Sequence, residues 1–108
     1  MLTTSSPNLL TILSGFRALS DPIRLQVLEL LQTQELCVCE LCEKLDISQS
    51  KLSFHLKNLR DAELVRSRQE GRWIYYRLNL SQFAILEDYL SKYQQFSYIL
   101  PAKSCDVQ

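Results

Sequence analysis

Helical spacing of apolar side chains recurs five times along the chain and is interrupted once by strand-like alternation. Residues 8–19 carry apolar side chains three and four apart, which predicts a first helix with a wide apolar face. Asp21 and Pro22 favour the start of a second helix, because aspartate caps a helix and proline suits its first turn. This helix is apolar on most sides, so we expect it to run to about Gln34 at the centre of the core.

The third and fourth helical stretches are arranged as a helix-turn-helix. A short helix over residues 37–45 precedes a turn, after which Ser48 can cap a fourth helix that runs to about Ala62. The apolar residues of the fourth helix are three or four apart, as expected for one buried stripe. They are Leu52, Leu56 and Leu59.

The strand-like alternation follows this motif. Residues 64–68 and 72–78 predict two strands that form a hairpin, and Gly71 between them supplies the positive φ that the turn favours. Ser81 can cap a last helix that continues to about Tyr98. Its apolar stripe consists of Phe83, Leu86, Leu90 and Tyr93.

Together these elements predict a mainly α winged helix-turn-helix with four helices, a two-stranded wing and a fifth, C-terminal helix. The length of 108 residues favours one domain over residues 1–108, with residues 1–7 and 101–108 as flexible tails. A chain this small buries only part of its apolar surface. We therefore expect the apolar stripes of the first and last helices to pair in a homodimer.

The formal net charge is zero, but the charges are unevenly distributed. Residues 47–77 carry seven basic and three acidic side chains, whereas residues 1–46 carry three basic and six acidic ones. A local basic surface favours contact with phosphates, although a solvated charged face would give the same pattern. No apolar run approaches the roughly 20 residues of a membrane span, and the first residues do not resemble a signal peptide. We expect a cytoplasmic protein whose thiols stay reduced.

The helix-turn-helix predicts double-stranded operator DNA as a partner, because its second helix presents N-terminal residues to base edges in the major groove. Glutamine can bond adenine, serine can serve several bases or phosphates, and arginines beside the hairpin can reach the DNA backbone. The predicted DNA-contacting residues are Gln49, Ser50, Lys51, Ser53, His55, Arg66, Arg68 and Arg72. For any one of them, capping, packing or solvation is an equally good explanation.

Three of the four cysteines, Cys37, Cys39 and Cys42, lie within six residues on the first helix of this motif. Each residue of a helix turns by roughly 100°, so Cys39 and Cys42 share a face while Cys37 points roughly 200° away from Cys39. The three sulfurs can converge only if the first turn unwinds or Cys37 lies before the helix. Metal ligation would then distort a helix that packs against the DNA-reading helix.

Three thiolates select soft ions, and trivalent arsenic and antimony take three ligands, whereas zinc usually takes four. A fourth ligand from Cys105, Glu40, Glu43 or Asp46 would allow Cd(II), Pb(II) or Zn(II). A thiol redox switch is a further alternative, favoured if the cysteines are exposed and have low pKa values. An enzyme is disfavoured, because the sequence offers no nucleophile–base pair and no glycine-rich phosphate loop.

Four segments, Glu35–Cys42, Ile47–Ser50, His55–Lys57 and Arg72–Leu78, carry a resemblance to the ArsR/SmtB family of bacterial metal-sensing repressors. The resemblance covers roughly residues 8–98. It implies a dimeric winged helix-turn-helix protein that binds operator DNA without inducer and leaves it when metal binds.

The three-cysteine pattern is similar to that of the family's arsenite and antimonite sensors, which implies As(III) or Sb(III) as the inducer. The resemblance gives Cys37, Cys39 and Cys42 as the ligands. It gives Gln49, Ser50 and Ser53 as the base-reading positions. Phe54 departs from the family pattern, in which many members are polar at that position. The final helix lacks the acidic and histidine ligands of the family's zinc sensors.

Overall fold

The computed structural model describes residues 8–95 and 98–105 and confirms the predicted winged helix-turn-helix. Five helices in this part of the chain pack around a small antiparallel sheet, and the hairpin of that sheet is the wing. The elements are α1 (Leu9–Leu19), α2 (Pro22–Leu30), β1 (Leu36–Cys37), α3 (Val38–Leu45), α4 (Gln49–Asp61), β2 (Val65–Glu70), β3 (Trp73–Leu78) and α5 (Leu80–Ser91). A 3₁₀ turn, Lys92–Gln94, follows α5.

Side-chain caps fix where three of the helices begin. The Asp21 carboxylate accepts hydrogen bonds from the backbone N–H groups of Ile23 and Arg24 at the start of α2, at 2.9 and 3.1 Å. The Ser48 hydroxyl accepts one from Lys51 at the start of α4, at 3.2 Å. Both caps were expected from the sequence, because they satisfy N–H groups that a helix leaves unpaired. Asn8 caps α1 in the same way.

Two helix boundaries differ from the sequence prediction. Helix α2 ends at Leu30 rather than near Gln34, because the chain turns there before entering β1. Helix α5 follows Asn79 rather than being capped by Ser81, whose hydroxyl instead donates to the Asn79 side chain at 3.0 Å. Asn79 is buried, and its side-chain amide donates to the Glu63 carbonyl at 2.8 Å, which fixes the chain direction before α5.

The last helix ends earlier than the sequence predicted. Helix α5 ends at Ser91, and Tyr98 has no regular secondary structure, so the predicted continuation to Tyr98 is wrong. The described part of the C-terminal tail, residues 101–105, is also irregular. Residues 1–7 and 106–108, which complete the two predicted tails, lie outside the described residues.

The wing belongs to a three-stranded sheet with the order β1-β3-β2. The predicted hairpin is present, with Gly71 in the turn at a φ of 62°. Strand β1 was not predicted; its two residues pair with β3, Leu36 opposite Tyr76 and Cys37 opposite Tyr75. The segment that contains the first cysteine is therefore tied to the wing.

The core lies between the helix-turn-helix, α2 and the inner face of the sheet. Its fully buried side chains come from α2, β1, α3, α4 and the segment that leads into β2. They include Val27, Leu41, Leu52, Leu59 and Leu64. The predicted stripe of α4 is confirmed, since Leu56 is buried beside Leu52 and Leu59.

Helices α1 and α5 pack on each other at Gly15, where an added Cβ atom would lie 2.9 Å from the Leu86 side chain. Much of their apolar surface still faces outward. The exposed apolar side chains on these two helices and the adjoining 3₁₀ turn are Leu9, Leu10, Leu13, Leu80, Leu90 and Tyr93. Of the predicted α5 stripe, only Leu86 is buried and Phe83 half-buried. None of the helices in the described ranges is long and apolar enough to cross a membrane.

Candidate functional site

The first turn of α4 presents an open polar surface. The side chains of Gln49, Ser50, Lys51 and Ser53 are all exposed, whereas Leu52, Leu56 and Leu59 of the same helix are buried. The Ser48 cap leaves the first N–H groups of α4 in fixed positions next to this surface. This arrangement suits contact with base edges or phosphates, as the sequence predicted.

His55 occupies a different place from that predicted. Only 7% of its surface is exposed, and its Nδ1 atom lies 3.1 Å from Nη1 of Arg24 and 3.6 Å from the Asp21 carboxylate. The Arg24 Nε atom donates to the carbonyl of Ala18 at 2.8 Å. His55 therefore anchors α4 to α1 and α2, and its inward position does not suit the predicted contact with DNA.

Electrostatics support this anchor. Burial acts to raise the pKa of the Asp21 carboxyl, but the backbone N–H of Arg24, the neighbouring charges of His55 and Arg24, and the N–H of Ile23 together lower it. Asp21 thus stays ionised while it caps α2 and faces the histidine of α4. Sequence reasoning found the cap but missed the connection, because Arg24 and His55 are 31 residues apart.

Arg68, a predicted DNA contact in the wing, is engaged within the protein. Its guanidinium donates to the Glu35 carboxylate at 2.8 and 3.1 Å, donates to Glu70 at 2.8 Å, and lies over the Tyr75 ring at 4.6 Å. The hydrogen bonds from Arg68 lower the pKa of the Glu35 carboxyl, and those to Glu35 and Glu70 raise the pKa of Arg68. Two carboxylates compensate its charge, so Arg68 is poorly suited to bind a phosphate.

Arg66 and Arg72 retain the properties expected of DNA contacts. Both are exposed, and within the described ranges neither takes part in an ion pair. Arg66 lies opposite Arg77 across the β2–β3 ladder, which places two positive charges on the outer face of the wing. Arg72 lies in the hairpin turn beside Gly71. The wing can therefore offer positive charge at its base and at its tip.

The three clustered cysteines occupy three different environments. Cys37 is the residue before α3 and is 9% exposed, with its backbone N–H donating to the Glu40 carboxylate at 3.0 Å. Cys39 is exposed, and Cys42 is half-buried. Burial, followed by the proximity of Cys39, raises the pKa of the Cys42 thiol. The position of Cys37 before the helix satisfies one of the two conditions under which the three sulfurs can converge.

An open groove lies between the cysteine cluster and the start of α4. It has a volume of about 520 Å³ and is lined by Val38, Cys39, Cys42, Glu43 and Gln49. The Cys42 carbonyl also accepts hydrogen bonds from the backbone N–H groups of Asp46 and Ile47, which form the turn into α4. A movement of the Cys42 backbone would therefore disturb the hydrogen bonds of the turn that positions Gln49.

The cysteines are not arranged as a finished metal site. Within the ranges that the structure describes, no group of three histidine, cysteine or acidic side chains is placed to hold a metal ion. All four cysteines are free thiols, including the exposed Cys105 in the tail. The donor chemistry suits a soft three-coordinate ion, but binding to all three sulfurs requires the segment around Cys37 to rearrange.

Comparisons with known proteins give a consistent set of relatives. The family model described as "Bacterial regulatory protein, arsR family" matches residues 21–67, which run from the start of α2 into β2. An "Arsenical resistance operon repressor" of Bacillus subtilis (strain 168) is 49% identical over 65 residues, 59% of this chain and 62% of that protein. A "Transcriptional repressor SmtB homolog" of Synechocystis is 46% identical over 63 residues, 58% of this chain and 48% of that protein.

A solved structure agrees with these relatives over a larger part of the fold. It is titled "Crystal structure of Possible transcriptional regulator for arsenical resistance", with a TM-score of 0.68 and 31% identity. The match covers 74% of this chain and 83% of that one. The chain spans between about half and two thirds of the two curated relatives named above.

Proposed function

Because the chain belongs to the ArsR family of bacterial regulatory proteins, we propose that it is a cytoplasmic repressor released from operator DNA by a metalloid. The proposed inducer is As(III) or Sb(III), bound by Cys37, Cys39 and Cys42. The name of the Bacillus relative and the three closely spaced thiols both support this assignment. The observation that carries the mechanism is the groove shared by two of the cysteines and Gln49.

The DNA-binding half of the proposal rests on exposure and charge. Gln49, Ser50, Lys51 and Ser53 would meet base edges and phosphates, since all four are exposed at the start of α4. Arg66 and Arg72 would bind the DNA backbone or minor groove from the wing. His55 and Arg68 are not included among the proposed DNA contacts, because His55 anchors α4 and Arg68 pairs with two carboxylates.

The inducer half of the proposal rests on donor chemistry. Undissociated arsenous acid and three thiols give a tris-thiolate and three water molecules, so each sulfur replaces one hydroxyl. Cys39 and Cys42 face the open groove and are accessible for the first two exchanges. Cys37 is buried at the end of β1, so the third exchange must draw it out of its position beside Tyr75.

The two halves are coupled through backbone contacts of the cysteines. Moving Cys42 disturbs the hydrogen bonds from Asp46 and Ile47 to its carbonyl, and hence the turn into α4. Moving Cys37 disturbs its pairing with β3 and its N–H bond to Glu40. Couplings between sites are typically about 1–3 kcal/mol, while near-complete release takes about 5.5 kcal/mol. Two such sites in a dimer reach that range.

The homodimer is part of the same proposal. Helices α1 and α5 leave Leu9, Leu10, Leu13 and Leu90 exposed, together with Tyr93 after α5. Several exposed apolar side chains on two packed helices favour an interface rather than a solvent-facing side. Pairing these helices would place two copies of α4 for half-sites about 34 Å apart on one face of the DNA.

Divalent ions are the second candidate inducers. The relative named for SmtB and the carboxylate of Glu43 in the cysteine groove favour Cd(II), Pb(II) or Zn(II), for which an oxygen ligand can complete the coordination. A redox switch is favoured by the exposure of Cys39. The raised pKa of Cys42 counts against it, since oxidation proceeds through the thiolate.

The proposal is tested by substituting Cys39 by Ser, with Cys105→Ser as the matched control on another exposed thiol. Operator affinity is measured under reducing conditions at fixed salt, with arsenite, Cd(II), Zn(II) or peroxide added. We expect Cys39→Ser to bind DNA within about twofold of the unsubstituted protein, as surface changes usually do. It should no longer be released by arsenite, whereas Cys105→Ser should respond fully. Release by peroxide but not by arsenite would refute the metalloid sensor.

A further inference from the structure

Phe54 is a large apolar residue in the middle of the polar face of α4. Its side chain is 63% exposed. By helical geometry it points roughly 200° away from Leu52 of the buried stripe, and lies within about 60° of Ser50 and Lys57. Single exposed apolar residues are common on protein surfaces. What distinguishes Phe54 is that it lies one helical turn after Ser50 and directly after Ser53, two of the proposed base-reading residues.

The ring of Phe54 has a supported position. Its centroid lies 5.3 Å from that of His55, with the two rings nearly perpendicular at 75°. His55 is itself fixed by Arg24, so the edge against which Phe54 packs does not move freely. The carbonyl of Phe54 accepts a hydrogen bond from the Asn58 side chain at 2.9 Å. The exposed face of the ring is therefore presented to solvent in a defined direction.

The chemistry of the major groove indicates what the ring would meet there. Base edges offer hydrogen-bonding groups at nearly every position, and their one apolar group is the 5-methyl of thymine. Lys51, one turn before on the same face, supplies positive charge that keeps this surface close to DNA. Lys57, one turn after, pairs with Asp61 at 2.8 Å. An apolar partner from another protein would have to bury these ammonium groups as well.

We propose that Phe54 packs against a thymine 5-methyl group in each operator half-site and so helps to determine which sequences are bound. This inference rests on the proposed binding of operator DNA. Four residues of helix rise about 6 Å, so the thymine lies within about two base pairs of the pair that Ser50 meets. Phe54 acts here as a specificity-determining residue, since it touches the base itself.

The test uses double-stranded DNA selected from a randomised pool by the full-length protein. Each thymine of the selected site is replaced in turn by deoxyuridine, which removes only the methyl group. We expect one thymine per half-site at which this change weakens binding about fourfold, the loss of one buried methyl. Phe54→Ala should bind the thymine site more weakly and be indifferent to uracil at that position.

Leu25→Ala is the matched control, because Leu25 is also an exposed apolar residue but lies on α2. It should keep the full sensitivity to uracil. Phe54→Leu should keep part of it, since leucine is still apolar and favours a helix. The inference is overturned if the selected site has no methyl-sensitive thymine, or if Phe54→Ala retains the sensitivity. Failure of the protein to select any sequence would instead refute the proposed function.

Discussion

Arg24 joins three helices through one guanidinium group. It donates to the Ala18 carbonyl at the end of α1 and meets His55 of α4, and its own backbone N–H donates to Asp21. We expect Arg24→Ala to lower the free energy of unfolding by about 1–3 kcal/mol, because it leaves the buried His55 ring without this partner. Urea denaturation of the purified protein measures the change.

Gln26→Ala is a suitable control, since Gln26 is exposed and lies two residues further along α2. It should change the stability by no more than about 0.5 kcal/mol. Operator affinity should fall for Arg24→Ala even under conditions where it is fully folded, since α4 loses an anchor. Equal stability of the two variants would show that the contact between Arg24 and His55 contributes nothing to the fold.

The raised pKa of Cys42 predicts that the affinities of the candidate inducers depend on pH in different ways. Its pKa is raised by burial and by Cys39, so it remains a neutral thiol to higher pH than an ordinary cysteine. A divalent ion must displace that proton, and its apparent affinity should rise with pH by up to about tenfold per unit for each proton displaced, until the raised pKa is passed.

Arsenite should behave differently, because its exchange with three thiols releases water and no net proton. Its affinity for the protein should be nearly constant between about pH 6 and pH 8, where both arsenous acid and Cys42 stay protonated. Isothermal titration in buffers of different ionisation enthalpy measures the protons released. A steep rise of arsenite affinity with pH would contradict the three-thiol exchange.

At the scale of elements, the wing contains arginines of two kinds. Arg68 is compensated by Glu35 and Glu70, whereas Arg66 and Arg72 have no ion-pair partner in the described part of the chain. We expect Arg66→Ala and Arg72→Ala each to reduce the slope of log affinity against log salt by about one per half-site, as the loss of a phosphate contact does.

Arg68→Ala provides the internal comparison, since it removes the same charge from the same hairpin. The slope should change much less, because the Arg68 charge is already neutralised by two carboxylates. Filter binding or fluorescence anisotropy over a range of salt concentrations gives the slopes. If Arg68→Ala reduces the slope as much as Arg66→Ala, then Arg68 leaves its acidic partners when DNA binds.

The elements that could be predicted from the sequence are those with local signals. The caps at Asp21 and Ser48 and the glycine of the wing turn act within three residues of their own position, so their effect is visible in the sequence. The start of α5 was misplaced because Asn79 is fixed by the Glu63 carbonyl, 16 residues earlier. Strand β1 was missed because a two-residue strand shows no alternation of its own.

The candidate site follows the same rule. The exposed first turn of α4 and the spacing of the cysteines follow from helix periodicity, which is local. His55 meets Arg24, 31 residues earlier, and Arg68 meets Glu35, 33 residues earlier, and nothing in the spacing of charges indicates these two pairs. The contact of Arg68 with Glu70, two residues later, is local. Both residues were therefore predicted as DNA contacts, although folding pairs them within the protein.

For the whole molecule, the apolar side chains fall into two groups: those of the core, which hold the proposed DNA-contacting elements together, and those exposed on α1 and α5, which are proposed to form the dimer contact. The core joins α4, the turn and the wing into one unit, while the outer faces of α1 and α5 take little part in it. A protein that reads two half-sites needs such a division, because the dimer contact can then fix the spacing without entering the groove. The apolar side chains of α1 and α5 would be buried by a second copy of the chain.

Leu90→Glu tests this arrangement, because Leu90 is 52% exposed on α5 and a buried charge would oppose association. We expect the variant to be a folded monomer by analytical ultracentrifugation, while the unsubstituted protein is a dimer. Its affinity for a full operator should fall by at least about a hundredfold, since each half-site is then bound independently. Leu25→Glu places the same charge on exposed apolar surface of α2 and should leave the dimer and its affinity intact. A monomeric unsubstituted protein with full operator affinity would exclude the paired geometry.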